Sequence, residues 1–161
     1  MNARSESTPV DELKAWERAS TGQIATLPHI VAHELIHIQQ PPERDNATLL
    51  QQALREGAAD FVGKMISGEI TNKVQHNYGD VHERELWVEF RKEMLGTDIN
   101  RWMYQGDRAK DHPADLGYYI GYKICEAFYH RTADKREAVR RILHITDAAA
   151  FLEESSYGGG R

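Results

Sequence analysis

Cysteine is almost missing: Cys125 stands alone among 161 residues. No disulfide can form within the chain, and a lone cysteine of this kind is expected to be a reduced, half-buried packing residue. Long apolar runs are missing as well. No stretch approaches the ~18 residues that a membrane-spanning helix needs, so no transmembrane segment is expected. Residues 1–9 are polar and lack the apolar centre of a signal peptide. A cytoplasmic location is the default expectation, and export would need a segment upstream. Surplus basic charge is absent too. Twenty Lys and Arg against 25 Asp and Glu leave a formal net charge of -5, which argues against a nucleic-acid partner. There are no internal repeats and no low-complexity block beyond Gly158-Gly159-Gly160. No segment alternates with period two, so little β structure is expected.

What is present suits one folded domain. Hydrophobic residues make up 40% and charged residues 28%, the balance of a globular protein rather than a disordered one. Helical periodicity dominates. A short helix is expected over 10–19, with Leu13 and Trp16 on one side. The next spans 28–40, opened by Pro28 and stopped by Pro41-Pro42. Val31, Leu35 and Ile38 share a stripe along it and are expected to be its buried face. Asn46 can cap a third helix that runs to Ser67, where Gly68 stops it. The polar stretch 69–80 reads as a loop. Further helices are expected over 81–95, from Pro113 to Arg131, over 135–143 and over 147–154, with one short turn over 98–104 and an exposed charged stretch over 105–112. The expected organisation is a partly ordered segment 1–19, a domain 20–156 and a flexible tail 157–161. The fold class is mainly α, a single helical domain with at most a minimal β element near the N-terminus.

Eight histidines are many for this length. Two of them fall in the run His33-Glu34-Leu35-Ile36-His37. On a helix, residues four apart lie about 40° apart around the axis, on the same face. Two imidazoles one turn apart suit two corners of a zinc tetrahedron. Glu34 projects beside that pair, where it can reach a metal-activated water without being a ligand. Catalytic zinc keeps three protein ligands and one open position. The candidate third ligand is Glu56, 19 positions after His37, in the run Glu56-Gly57-Ala58-Ala59-Asp60. Gly57, Ala58 and Ala59 are small enough to let two helices approach. Asp60 lies one turn beyond Glu56 and can accept the second N–H of a metal-bound histidine.

His-Glu-x-x-His, eighteen residues, then Glu-x-x-x-Asp resembles the gluzincin metallopeptidases, which include thermolysin-like proteases and one-metal aminopeptidases. The segments Pro28-His29-Ile30-Val31-Ala32 and Gly117-Tyr118-Tyr119-Ile120-Gly121-Tyr122 are similar to a family of predicted zinc proteases related to gliding-motility lipoproteins. The resemblance implies a helical metallopeptidase-like fold with the zinc between two adjacent helices. It implies that His33, His37 and Glu56 bind Zn2+, that Glu34 is the general base and that Asp60 orients His33 or His37. A peptide or protein would be the substrate. It also implies an edge strand upstream of the histidine helix to hold the substrate backbone, for which Gln23-Ile24-Ala25-Thr26-Leu27 is the one candidate.

An oxyanion needs a donor besides the metal. Tyr118 is the first candidate and Tyr122 the second, four apart on one helix beside Gly117 and Gly121; His112 is a third. The same tyrosines and glycines would equally make a seam between helices, and both readings stay open. His76 and His82 are expected to be solvated, His130 and His144 to sit at helix ends and His29 on the surface. Trp16, Trp87 and Trp102 are expected to pack in the core. The leading expectation is a zinc-dependent peptide-bond hydrolase. Its rivals are a zinc-binding scaffold without catalysis, degenerate or truncated, and a hydrolase of a non-peptide amide.

Overall fold

The computed structural model describes the backbone of residues 2–4 and 21–23 and all of 27–70 and 72–160, apart from the side chain of Asp107. The expected helix over 10–19 and Trp16 lie outside these residues. Strand β1 (Asn2–Arg4) pairs in parallel with β2 (Thr21–Gln23), with Asn2 opposite Thr21 and Arg4 opposite Gln23. Six helices follow among the described residues: α1 (Leu27–Gln39), α2 (Leu49–Ser67), α3 (Lys73–Glu93), α4 (Leu116–Arg131), α5 (Lys135–Leu143) and α6 (Ala148–Ser155). The expected mainly α domain is what forms. Among the described residues its β content is this one ribbon. Of the candidate edge strand 23–27, Gln23 ends β2 and Leu27 starts α1, and the three residues between them are not described.

Helix α2 is the centre of the fold, and local chemistry sets its ends. Thr48, rather than Asn46, is the N-cap. Its hydroxyl accepts from the Gln51 N–H at 3.3 Å while the Gln51 carboxamide accepts from the Thr48 N–H at 2.8 Å, a reciprocal capping box. Gly68 closes the helix with φ 83°, the left-handed geometry glycine adopts without cost. Between these ends nearly every residue from Leu49 to Gly63 is buried. One face of α2 lies on α4. There a Cβ on Gly57 would run into the backbone of Gly121 and Tyr122, and one on Gly121 into the Ala53 carbonyl. The glycines therefore let the two backbones touch. Gly57 serves this crossing, whereas Gly63 is the residue that backs onto α1, against His33.

The core gathers Leu49, Leu50, Leu54, Phe90, Ile120 and Ile124 around this contact. Cys125 is free, as expected, but fully buried rather than half-buried, and burial raises its thiol pKa well above the usual range. Trp87 and Trp102 are buried as expected. His130 falls in the last turn of α4 and His144 caps the end of α5.

Two expectations about the elements are corrected. Val31, Leu35 and Ile38 do not face the core: they are 45%, 53% and 72% exposed, while Ala32 and Ile36 are buried. The helix turns His33 and His37 toward α2, and that rotation leaves the bulkier apolar stripe outside. From Lys73 on, the stretch expected as a loop is the first part of α3, which kinks at His82 (φ -113°, ψ 15°). Gly79 disguised it. A Cβ there would strike the Tyr119 ring, so close packing on α4 outweighs the weak helix propensity of glycine. His76, expected in solvent, is consequently buried between Tyr119 and Tyr122. The C-terminal residues also fold back onto α3: the Tyr157 hydroxyl donates to Glu83 at 2.9 Å, and Gly159 packs on Trp87.

No helix of the described residues is long and apolar enough to cross a membrane.

Candidate metal centre

Helix α1 supplies two imidazoles and α2 a carboxylate. His33 Nε2 lies 3.1 Å from His37 Nε2, and each of these nitrogens lies 3.3 Å from Glu56 Oε2. The three atoms form a nearly equilateral triangle. The edge of a regular tetrahedron is about 1.63 times its centre-to-vertex distance, so ligands bound to zinc at ~2.0 Å stand about 3.3 Å apart. The triangle is the size of one face of a zinc tetrahedron. Of the described residues, these three are the ones able to converge on a metal ion.

The far side of each ring agrees. His33 Nδ1 is 2.7 Å from Asp60 Oδ1, and the Asn72 amide donates to Asp60 Oδ2 at 2.6 Å. His37 Nδ1 is 2.8 Å from Gln40 Oε1, and Gln40 Nε2 donates to the Arg55 carbonyl at 2.8 Å. That second bond fixes which way the Gln40 amide points, so its oxygen is the atom facing His37. Both Nδ1 atoms therefore meet acceptors and must carry a proton. The tautomer this selects leaves a lone pair on both Nε2 atoms, which is what a metal ligand requires.

The charges are concentrated and partly buried. Burial works against a charged His33, but hydrogen bonds and charge from Asp60 and Glu56 outweigh it and raise its pKa from 6.5 to about 10. The hydrogen bond to Glu56 likewise raises His37. Burial works against a charged Glu56 too, and the hydrogen bonds from His33 and His37 overcome it and hold the carboxyl well below its usual range. Without a cation, protons fill the centre. A divalent ion would replace them and neutralise the same carboxylates. The donor set of two imidazoles and one carboxylate, with neutral tautomers enforced from outside, fits zinc.

His33, His37, Glu56 and Asp60 are thus brought together as expected, and Asp60 serves His33. Glu34 is exposed on α1 next to His33. The Tyr118 ring is stacked near His33, with centroids 6.4 Å apart and planes 17° from parallel. Tyr122 is not brought to the triangle. It is buried against Phe61 and His76, and its hydroxyl accepts from Lys64 Nζ at 3.0 Å. His112 lines a different cavity, with Tyr78, Glu85 and Trp102, and its Nδ1 donates to the Pro113 carbonyl at 2.9 Å. His29 is half-buried, with its Nδ1 unpartnered.

Three participants escaped sequence reasoning. Gln40 lies three residues after His37, just past the end of α1, a spacing that could have revealed it. Asn72 was hidden in a supposed loop. Tyr104, whose hydroxyl donates to Glu56 Oε1 at 2.9 Å, comes from a turn 48 residues away in sequence and carried no local signal.

A protein family described as predicted Zn-dependent protease (DUF2268) matches residues 10–150. The chain belongs to this family. The match spans most of the chain, including α1, α2 and α4, and so takes in the triangle and the residues that brace it. A predicted zinc protease family with a His33/His37/Glu56 cluster able to hold a metal is therefore the common ground of sequence and structure. No curated protein and no solved structure matches the chain.

Proposed function

We propose that the chain is a zinc-dependent peptide-bond hydrolase of the gluzincin kind, with His33, His37 and Glu56 as ligands. The observation that carries this reading is the triangle of Nε2, Nε2 and Oε2 atoms at 3.1–3.3 Å with both Nδ1 atoms hydrogen-bonded from behind. Bound there, zinc supplies Lewis acidity, lowering the pKa of a water toward ~7 and polarising a carbonyl. Glu34 accepts the proton of the attacking water and returns it to the leaving amine, so that the amine departs neutral. Glu34 is exposed to solvent on α1, next in sequence to His33. Asp60 holds the His33 ring and Gln40 the His37 ring. Tyr118, near His33, is the favoured donor to the developing oxyanion. Tyr122 is a weaker candidate for that role because its ring packs on Phe61 and His76 rather than beside His33.

The purified protein is expected to carry one zinc per chain. His37→Ala should lose the metal, and Glu34→Gln should keep the metal while losing peptide hydrolysis, read by metal analysis and a quenched-fluorescence peptide library. A metal-free wild type would sink the proposal. A second reading is a zinc-binding scaffold without catalysis. It wins if Glu34→Gln and the wild type are equally inactive while both hold zinc.

A further inference from the structure

The linker between α3 and α4 bends into a left-handed backbone at Tyr104, with φ 52°, and again at Asp115, with φ 63°. Neither residue is glycine, and a bulky side chain in this region is strained. The surroundings hold both in place. Gln105 N–H donates to Asp115 Oδ1 at 2.7 Å, and Asp115 N–H donates to Gln105 Oε1 at 3.2 Å, so the two bends are clasped to each other. Arg108 Nη2 donates to the Tyr104 carbonyl at 2.7 Å. Just before the first bend, Trp102 and Met103 are buried, and the Gly117 N–H donates to the Trp102 carbonyl at 2.9 Å. The strained residue is thus pinned to the start of α4 from both sides.

The effect is to aim one hydroxyl. Tyr104 is 48% exposed, yet its phenol reaches inward and donates to Glu56 Oε1 at 2.9 Å, with Gln52 Oε1 at 3.4 Å. The Tyr118 ring meets it edge-on, centroids 6.2 Å apart. Glu56 Oε2 is the oxygen that faces His33 and His37. Oε2 thus meets the imidazoles and Oε1 the Tyr104 phenol, while the Tyr118 phenol also interacts with the carboxylate.

Resting on the zinc reading above, we infer that Tyr104 is a positioning residue that holds Glu56 Oε1 and so restricts Glu56 to one-atom ligation through Oε2. A carboxylate free to rotate can chelate with both oxygens and take up part of the coordination sphere that a substrate needs. A phenol hydrogen-bonded to one oxygen blocks that rotation and leaves the open position open. This also accounts for the strain, because relaxing Tyr104 to an ordinary backbone conformation would swing the hydroxyl away from Glu56.

The test compares wild type with Tyr104→Phe and with Tyr104→Asn, the latter a residue that tolerates left-handed backbone. Both should keep their fold by circular dichroism and lose about 10–100-fold in zinc affinity by chelator competition. With cobalt(II) in place of zinc, both variants should show weaker visible absorption than wild type, as Glu56 turns bidentate and the coordination number rises. In a Glu56→Ala background, Tyr104→Phe should change the affinity no further, which a merely structural role would not predict. Equal zinc affinity and identical cobalt spectra for wild type and Tyr104→Phe, both loaded, would overturn the inference and leave the zinc reading standing. A wild type that binds neither metal would remove both.

Discussion

At the residue scale, His33 connects the folding of the chain to its chemistry. In the metal-free protein it stays protonated up to about pH 10, whereas in the unfolded chain it deprotonates near 6.5. Between those values the folded state binds more protons than the unfolded one, so raising the pH destabilises it. The stabilisation is complete below about pH 6.5 and lost as pH climbs toward 10. Chelator-treated protein should therefore melt at progressively lower temperature from pH 6.5 to 10, and His33→Gln should flatten that slope. Zinc affinity should move the opposite way, rising with pH as the imidazoles give up their protons. Gln40 allows a separate test. Gln40→Leu removes the acceptor behind His37 and should weaken zinc roughly 10–100-fold, measured by competition with a chromogenic chelator. Asp60→Asn should do at least as much harm, because an anion behind His33 is replaced by a neutral amide that can present its NH2 to the ring.

At the scale of elements, the contact between α2 and α4 decides where Glu56 stands. Gly57 follows Glu56 directly and lies against Gly121. Gly57→Ala has no room for its methyl group, and the helices must separate. Overpacking of this kind costs about 1–3 kcal/mol, a fall in Tm of roughly 2–12 °C for a chain of this size, read by calorimetry. Elements with strong local punctuation were legible in the sequence. Pro28, Pro41-Pro42, Gly68 and Asp147 mark helix ends that the structure keeps to within a few residues. The start of α3 was not legible, because Asn72, Asn77 and Gly79 are residues of turns. What holds Gly79 in the helix is the Tyr119 ring packed against it, a partner 40 positions along the chain. The stripe of α1 was misread for a related reason. Periodicity finds an apolar face, but the rotation of a helix is set by what its neighbour needs to meet, here two histidines meeting a glutamate.

At the scale of the whole molecule, the metal would join an outer helix to the central one. Helix α1 buries only Ala32 and Ile36, while α2 is buried along most of its length. Zinc bound by both helices stabilises the folded state by mass action, about 2.7 kcal/mol when the free ion is at 100 times its Kd. Removing it should release α1 before the rest. Hydrogen exchange after chelation is expected to accelerate in α1 and to stay slow in the central part of α2 and in α4. Uniform acceleration across all helices would show instead that the metal holds the fold together as a unit.

The sequence by itself determined the chemistry of the centre and the class of the fold. His33 and His37 share a face because four residues make just over one helical turn, and Glu56 and Asp60 share one for the same reason. Those relations are local, and any helix would satisfy them. Only the tertiary structure decided that the two faces meet at 3.3 Å, that Asp60 serves His33 while Gln40 serves His37, and that Tyr104 reaches Glu56. These are contacts between segments far apart along the chain or choices among rotations of a helix. Helical periodicity is blind to both, because they depend on how one surface fills the space left by another.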